Sequence, residues 1–303
     1  MADLKTKYMG LELRSPIIAG SCGLTSNVEK MVEMEKAGAG AVVLKSIFEE
    51  QINEETSGVF KAGYGMGDAY PEAEDYIKAY IRSNTIQKYV ELVRNAKSRL
   101  TIPVIASVNC FSGGEWVSFA RQLEEAGADA LELNVFILPV NEFKESAEVE
   151  NVYFEIVKSI KSQIKIPVSV KISHYFTNLS AFVDKIKAYG ANATTLFNRF
   201  YEPDININTL EMGAASVFST AAELRTTLRW TGILAGKDKK LEISASTGVH
   251  GGEAAVKLLL AGATTVQVCS VLYEKGIHVI EDINNFIGKW MDSKAFKTIE
   301  EYR

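Results

Sequence analysis

The chain has 303 residues, 47% hydrophobic and 23% charged, with a formal net charge of −5. That length suits two average domains or one large barrel, and a mildly acidic balance argues against nucleic acid, which is bound by clustered Lys and Arg. Three cysteines (Cys22, Cys110, Cys269) form no disulfide framework and no metal-ligand spacing, so a reduced, cytoplasmic protein is expected. The start MADLKTKYMGLELRSPII lacks a signal-peptide pattern, and no run of ~20 apolar residues exists to span a bilayer.

In chain order, short apolar runs fall at about 16–20, 41–46, 103–109, 130–135, 167–172, 193–198, 241–246 and 265–270. Near-continuous apolar character marks parallel strands covered on both faces. Four of these runs follow one repeated phrase: KAGAGAVVLKS, EAGADALELNV, AYGANATTLFN and LAGATTVQVCS. In each, a glycine ends a helical pattern in the left-handed conformation and a small residue permits a tight turn into the strand. Two more strands enter through Ile-Pro, in TIPVIASVN and KIPVSVKIS, where proline forfeits no ladder bond. Amphipathic helices lie between, such as SNVEKMVEMEKAG with Ser26 as its expected N-cap, TIQKYVELVRNAKSRL and LSAFVDKIKAYG.

Eight strand–helix alternations without a break in composition predict one (β/α)8 TIM barrel, a single domain over 1–303. A doubly wound sheet is the rival, but there is no linker at which to split it. Two intervals, about 47–84 and 199–216, exceed a simple connection. They follow the second and sixth strands and are expected as long loops over the C-terminal face, where barrel active sites form.

In such a barrel the strand ends carry the chemistry. They bring together Ala19, Gly20, Lys45, Ser46, Asn109, Asn134, Lys171, Asn198, Ser246, Thr247, Gly248, Cys269 and Ser270. The last five are small enough for backbone approach to a phosphate between the seventh and eighth strand loops. Lys45 and Lys171 would serve the rest of a phosphorylated cofactor. No His/Asp/Glu cluster has metal-ligand spacing.

These residues and motifs resemble the dihydroorotate dehydrogenases, flavin barrels that oxidise dihydroorotate to orotate. The resemblance runs from SPIIAGSCGLTSNVEKMVEMEKAGAGAVVLKS through IPVIASVN, ALELN and IPVSVKIS to STGVHGGEAAVKLLLAGATTVQVCSVLYEKG and WMDSKAFKTIEEYR. It is closest to the soluble class 1 members. It implies FMN, with Ala19, Gly20, Ser46, Asn109 and Lys171 around ring and ribityl and Ser246, Thr247, Gly248, Cys269 and Ser270 at the phosphate. Lys45 would support charge beside flavin and substrate. Asn134 and Asn198 would grip a pyrimidine-like substrate. The resemblance also suggests a homodimer, and it offers as electron acceptor fumarate, a nicotinamide cofactor through an iron–sulfur electron-transfer partner, or another acceptor.

Two places depart from the family. Its fourth-strand motif Asn-Leu-Ser-Cys-Pro-Asn supplies a Cys, or a Ser, that takes the C5 proton. Here the chain reads Asn134-Val135-Phe136-Ile137-Leu138-Pro139. Its Asn-Ser-Met-Gly motif becomes Tyr64-Gly65-Met66-Gly67, so the resemblance implies that Tyr64, Met66 and Gly67 would face the substrate in altered form. Replacement proton carriers are His174, whose ordinary pKa is the most suitable, and Cys110, with Ser112, Tyr64 and Asp68 behind them. Cys22 and Cys269 read as packing or backbone positions. Two other readings stand beside this one: a flavin-free aldolase using Lys45 or Lys171 as a Schiff-base nucleophile, and a flavin-binding relative with another substrate or no activity.

Overall fold

The computed structural model describes residues 2–48, 71–109, 113–135, 137–199, 203–214 and 216–303. An antiparallel hairpin of β1 (Thr6–Tyr8) and β2 (Leu11–Leu13) opens the chain. The barrel strands follow as β3 (Ile17–Ala19), β4 (Ala41–Val43), β6 (Val104–Asn109), β7 (Ala130–Asn134), β8 (Val168–Ile172), β9 (Ala193–Leu196), β12 (Glu242–Ala245) and β13 (Thr265–Val268). All pair in parallel, and β3 joins both β4 and β13 while β4 joins β6, so the sheet closes. The short β5 (Ile47–Phe48) adds to β6 beyond the end of β4. This is the expected (β/α)8 barrel.

Around it, among the described residues, stand α1 (Val28–Lys36), α2 (Pro71–Arg99), α3 (Gly113–Glu125), α4 (Ser146–Lys161), α5 (Leu179–Ala188), α6 (Leu224–Lys237), α7 (Gly252–Leu260), α8 (Ser270–Lys275) and α9 (Val279–Ser293). The repeated phrase does what its glycines require. Gly38, Gly127, Gly190 and Gly262 all take φ between +95° and +112°, each stopping a helix just before a strand. Three expectations need correction. The first helix is capped by Asn27, whose side chain accepts from the Lys30 amide at 3.0 Å, while Ser26 belongs to the preceding turn. The interval 47–84 is helical from Pro71 onward. The interval 199–216 holds an antiparallel hairpin, β10 (Pro203–Asn206) with β11 (Glu211–Ala214).

Period-two alternation sorts the strand residues onto two faces. Ile17, Ala19, Val42, Leu44, Val104, Ala106, Val168, Val170, Val266 and Val268 pack outward with the helices in one large buried cluster. Ile18, Ala41, Val43, Ile105, Ala130 and Ala193 point inward and form a smaller cluster with Tyr8, Met9 and Leu13. The N-terminal hairpin therefore plugs the lower end of the barrel. Tyr8 is fully enclosed and its hydroxyl bonds Ser169 Oγ at 3.2 Å. Above that apolar floor the inward positions turn polar, layer by layer.

Candidate active site

The inward residues one step above the floor are Ser107, Glu132, Ser169, Thr195, Ser244, Thr265 and Gln267, each buried. Glu132 is the unexpected member. Its carboxylate accepts from Thr195 Oγ1 at 2.9 Å and Gln267 Nε2 at 2.7 Å, and it lies 3.8 Å from the Lys171 ammonium. Strand register explains the pairing with Lys171. Asn109, Asn134, Lys171 and Thr195 are successive cross-strand partners, so Lys171 stands one layer above Glu132 on the adjacent strand. A buried charge needs such a partner. Glu132 was legible only as the middle of LELN, an inward position between two outward leucines.

The next layer is the mouth. A cleft of about 170 Å³ opens there, lined by Lys171, Asn198, Ser246, Thr247, Gly248, Cys269 and Ser270 among the expected residues. Asn198 Nδ2 donates to Asn134 Oδ1 at 2.7 Å, which ties both amides to one side of the opening. Ser46 stands in a hydroxyl chain, 3.1 Å from Ser21 Oγ and 2.6 Å from Ser107 Oγ. Gly20 bonds Val268 through its amide at 2.9 Å. Ala19 is buried on the outward face. Lys45 is half-buried, its amide bonded to Thr25 O, and its ammonium has no hydrogen-bond or ion-pair partner among the described residues.

His174 sits away from this group. It is exposed beyond the end of β8, its ring 4.2 Å from Tyr175 and 5.7 Å from Phe197, of which Phe197 lines the cleft. What burial it has holds its imidazole below the ordinary value. Tyr64, Met66, Gly67 and Cys110, with Ser112 and Asp68, lie outside the described residues. So does Phe136. Its neighbours carry no proton: Val135 is buried in the outer core and Ile137 packs against that core.

The end of the cleft beside α7 is a tight turn of small residues. Thr247 and Gly248 both take φ of +79°, and a Cβ on Gly248 would lie 2.2 Å from the Leu224 amide nitrogen. Only glycine fits there. Ser219, unnoticed in the sequence, closes the cradle: its Oγ accepts from the Gly248 amide at 3.4 Å, and its own amide donates to Ser270 Oγ at 2.9 Å. Arg199, also unnoticed, lines the same wall and pairs with Glu223 at 2.8 Å. Among the described residues, the buried amide oxygens Asn109 Oδ1 and Gln267 Oε1 have no hydrogen-bond partner. An unmet buried acceptor is costly and asks for a ligand donor. Among the described residues no group of three or more His, Cys, Asp or Glu could hold a metal ion. Nor is any helix there long and apolar enough to cross a membrane.

A closed parallel barrel whose strand ends gather a glycine–serine turn, a buried lysine and a pair of hydrogen-bonded amides around one cleft defines a class: (β/α)8 barrels with their site at the C-terminal mouth. A sequence model of that class, described as dihydroorotate dehydrogenase, matches residues 3–291. The chain belongs to the dihydroorotate dehydrogenase family. It is similar to a Thermoplasma acidophilum protein named dihydroorotate dehydrogenase B (NAD(+)), catalytic subunit. They are 31% identical, covering 99% of this chain and 98% of that one. A Thermoplasma volcanium protein of the same name is 28% identical, with 99% and 97% covered. An Aeropyrum pernix relative, 26% identical over 99% and 96%, is given the fumarate-type name dihydroorotate dehydrogenase A.

Proposed function

We propose that this chain holds FMN across the barrel mouth and exchanges a hydride between it and a dihydropyrimidine-like substrate. The family is flavin-dependent, and its members are oxidoreductases acting on a CH–CH group. The observation that carries the reading for this chain is the meeting in one cleft of the Gly248 cradle and the unmet acceptor Gln267 Oε1. A phosphate suits the first and a ring edge bearing N–H groups suits the second. Bound there, the flavin supplies a two-electron acceptor or donor, chemistry no side chain has.

The residues divide the remaining work. Ser219, Ser246, Thr247, Gly248, Cys269 and Ser270 bind the phosphate, with Arg199 as the nearby cation. Gln267 is held by its bond to Glu132, which leaves its oxygen without a partner among the described residues. Lys171, backed by Glu132, and Lys45 place positive charge over the layer where negative charge develops. Asn134 and Asn198 orient a planar amide-bearing substrate. His174, uncharged at neutral pH because burial lowers its pKa, and Cys110 are the proposed proton carriers in place of the family's Cys or Ser. Val135 and Ile137 have no such chemistry.

The reading extends to the whole chain. One domain over 1–303 is supported by a single closed sheet from Ile17 to Val268. An electron-transfer partner is supported by the relatives named as catalytic subunits. A homodimer is supported by the exposed Ile205, Ile207, Leu210 and Met212 of the hairpin between β10 and β11. A cytoplasmic setting is supported by the unpaired state of Cys22 and Cys269. The aldolase reading is not favoured, since the family match stands against it and Lys171 is held in an ion pair. The test is chromatography of whatever the purified protein releases on denaturation. FMN in near-equal amount is expected. A colourless protein that FMN does not reconstitute overturns the reading.

A further inference from the structure

Cys22 and Cys269 meet at the rim of the barrel. Cys269 follows the last barrel strand, and its hydrogen-bonded neighbour, the first, delivers Gly20 opposite it. The space is tight there: a Cβ on Gly20 would lie 2.6 Å from Cys269 Sγ. The next turn brings Cys22 back toward Cys269, so that the two thiols interact. Cys269 Sγ also lies 3.7 Å from Ser21 O.

Their surroundings are unequal. Cys22 sulfur faces donors: the Cys269 thiol, the amides of Thr25 and Leu24, and the Tyr273 hydroxyl. Tyr273 is fixed in place by the Leu24 amide, which donates to it at 3.2 Å. These contacts, the Cys269 thiol first, lower Cys22 to about 6. Cys269 is pushed the other way, by its bond to Cys22 and by burial. The contacts thus favour the thiolate at Cys22 and the thiol at Cys269. Both are partly exposed, and Cys269 lines the cleft. A low-pKa thiolate next to a resolving thiol is the arrangement that reacts with disulfides.

We infer that Cys22 and Cys269 form a thiol–disulfide exchange site, oxidised by a low-molecular-weight disulfide such as oxidised glutathione. Cys22 Sγ attacks one sulfur of the reagent, forming a mixed disulfide and expelling a glutathione thiolate. Cys269 gives its proton to that thiolate and attacks Cys22 Sγ, expelling the second glutathione as thiolate, which takes a proton from solvent. Two protein thiols lose two electrons, and one glutathione disulfide becomes two glutathiones. The new bond ties the loop after the first barrel strand to the loop after the eighth, beside the anion cradle.

The test is peptide mapping by mass spectrometry of the purified full chain after incubation with oxidised glutathione. A peptide pair linked through Cys22 and Cys269, reversed by dithiothreitol, is expected. Cys269→Ser should halt at a glutathione adduct on Cys22, and Cys22→Ser should leave Cys269 unmodified. On the unaltered chain, independent of any variant's folding, iodoacetamide at about pH 6.5 should label Cys22 several-fold faster than Cys269, because the thiolate and not the thiol is the nucleophile. Modification confined to Cys110, or equal labelling of Cys22 and Cys269, overturns the inference.

Discussion

Removing the buried carboxylate by Glu132→Leu tests whether the polar layer beneath the mouth is built around an ion pair. Glu132 is 1% exposed and holds Thr195, Gln267 and Lys171 at 2.9, 2.7 and 3.8 Å. The change leaves the Lys171 ammonium enclosed without its counterion and strips two donors of their acceptor. Breaking a buried pair from one side costs about 3–5 kcal/mol. With unfolding entropy near 2.1 cal/mol/K per residue over 303 residues, that lowers the melting temperature by roughly 5–8 °C. The assay is thermal unfolding of the flavin-free protein, so that cofactor binding does not contribute. Glu132→Leu combined with Lys171→Met removes both charges and should recover most of the loss. If the double variant melts as low as the single one, or the single one melts as the parent does, the ion-pair argument is wrong.

Gly248→Ala should lower stability by about 2–5 kcal/mol, from the left-handed backbone and the collision with Leu224. It should also weaken FMN retention; thermal unfolding and a flavin titration check both. With Asn134→Ala, the Asn198 amide loses its acceptor at 2.7 Å, and KM for dihydroorotate should rise roughly ten-fold. For His174 the sign follows from its lowered pKa. The folded protein keeps the imidazole neutral down to a pH below the ordinary 6.5, so proton acceptance is lost only as pH falls through that lower value. His174→Gln should slow flavin reduction and remove that acidic limb from the pH–rate profile.

Much of this was legible in the residues because the barrel repeats itself. The four helix-stopping glycines announce their strands, and the strand-end residues Lys171, Asn198, Gly248 and Ser270 fall together because parallel strands end on one face. What stayed hidden has physical reasons. Glu132 and Gln267 occupy inward positions that in most sequences carry apolar side chains, and only strand register shows that they meet. Ser219 and Arg199 come from the segment around the hairpin Pro203–Ala214, whose strand residues Pro203–Asn206 are all exposed, so no alternation marks them. The start of α2 at Pro71 was missed because PEAEDY carries charge and aromatics without a clear apolar stripe. Asn27 caps in place of Ser26 because Ser26 lies inside the short helical turn that precedes it.

The most direct test of the central claim is the absorbance spectrum of the FMN-loaded protein, followed anaerobically as dihydroorotate is added. The account expects a flavin band that bleaches on addition, with the base supplied from outside the Val135–Pro139 stretch. A protein that stays yellow under these conditions would contradict it.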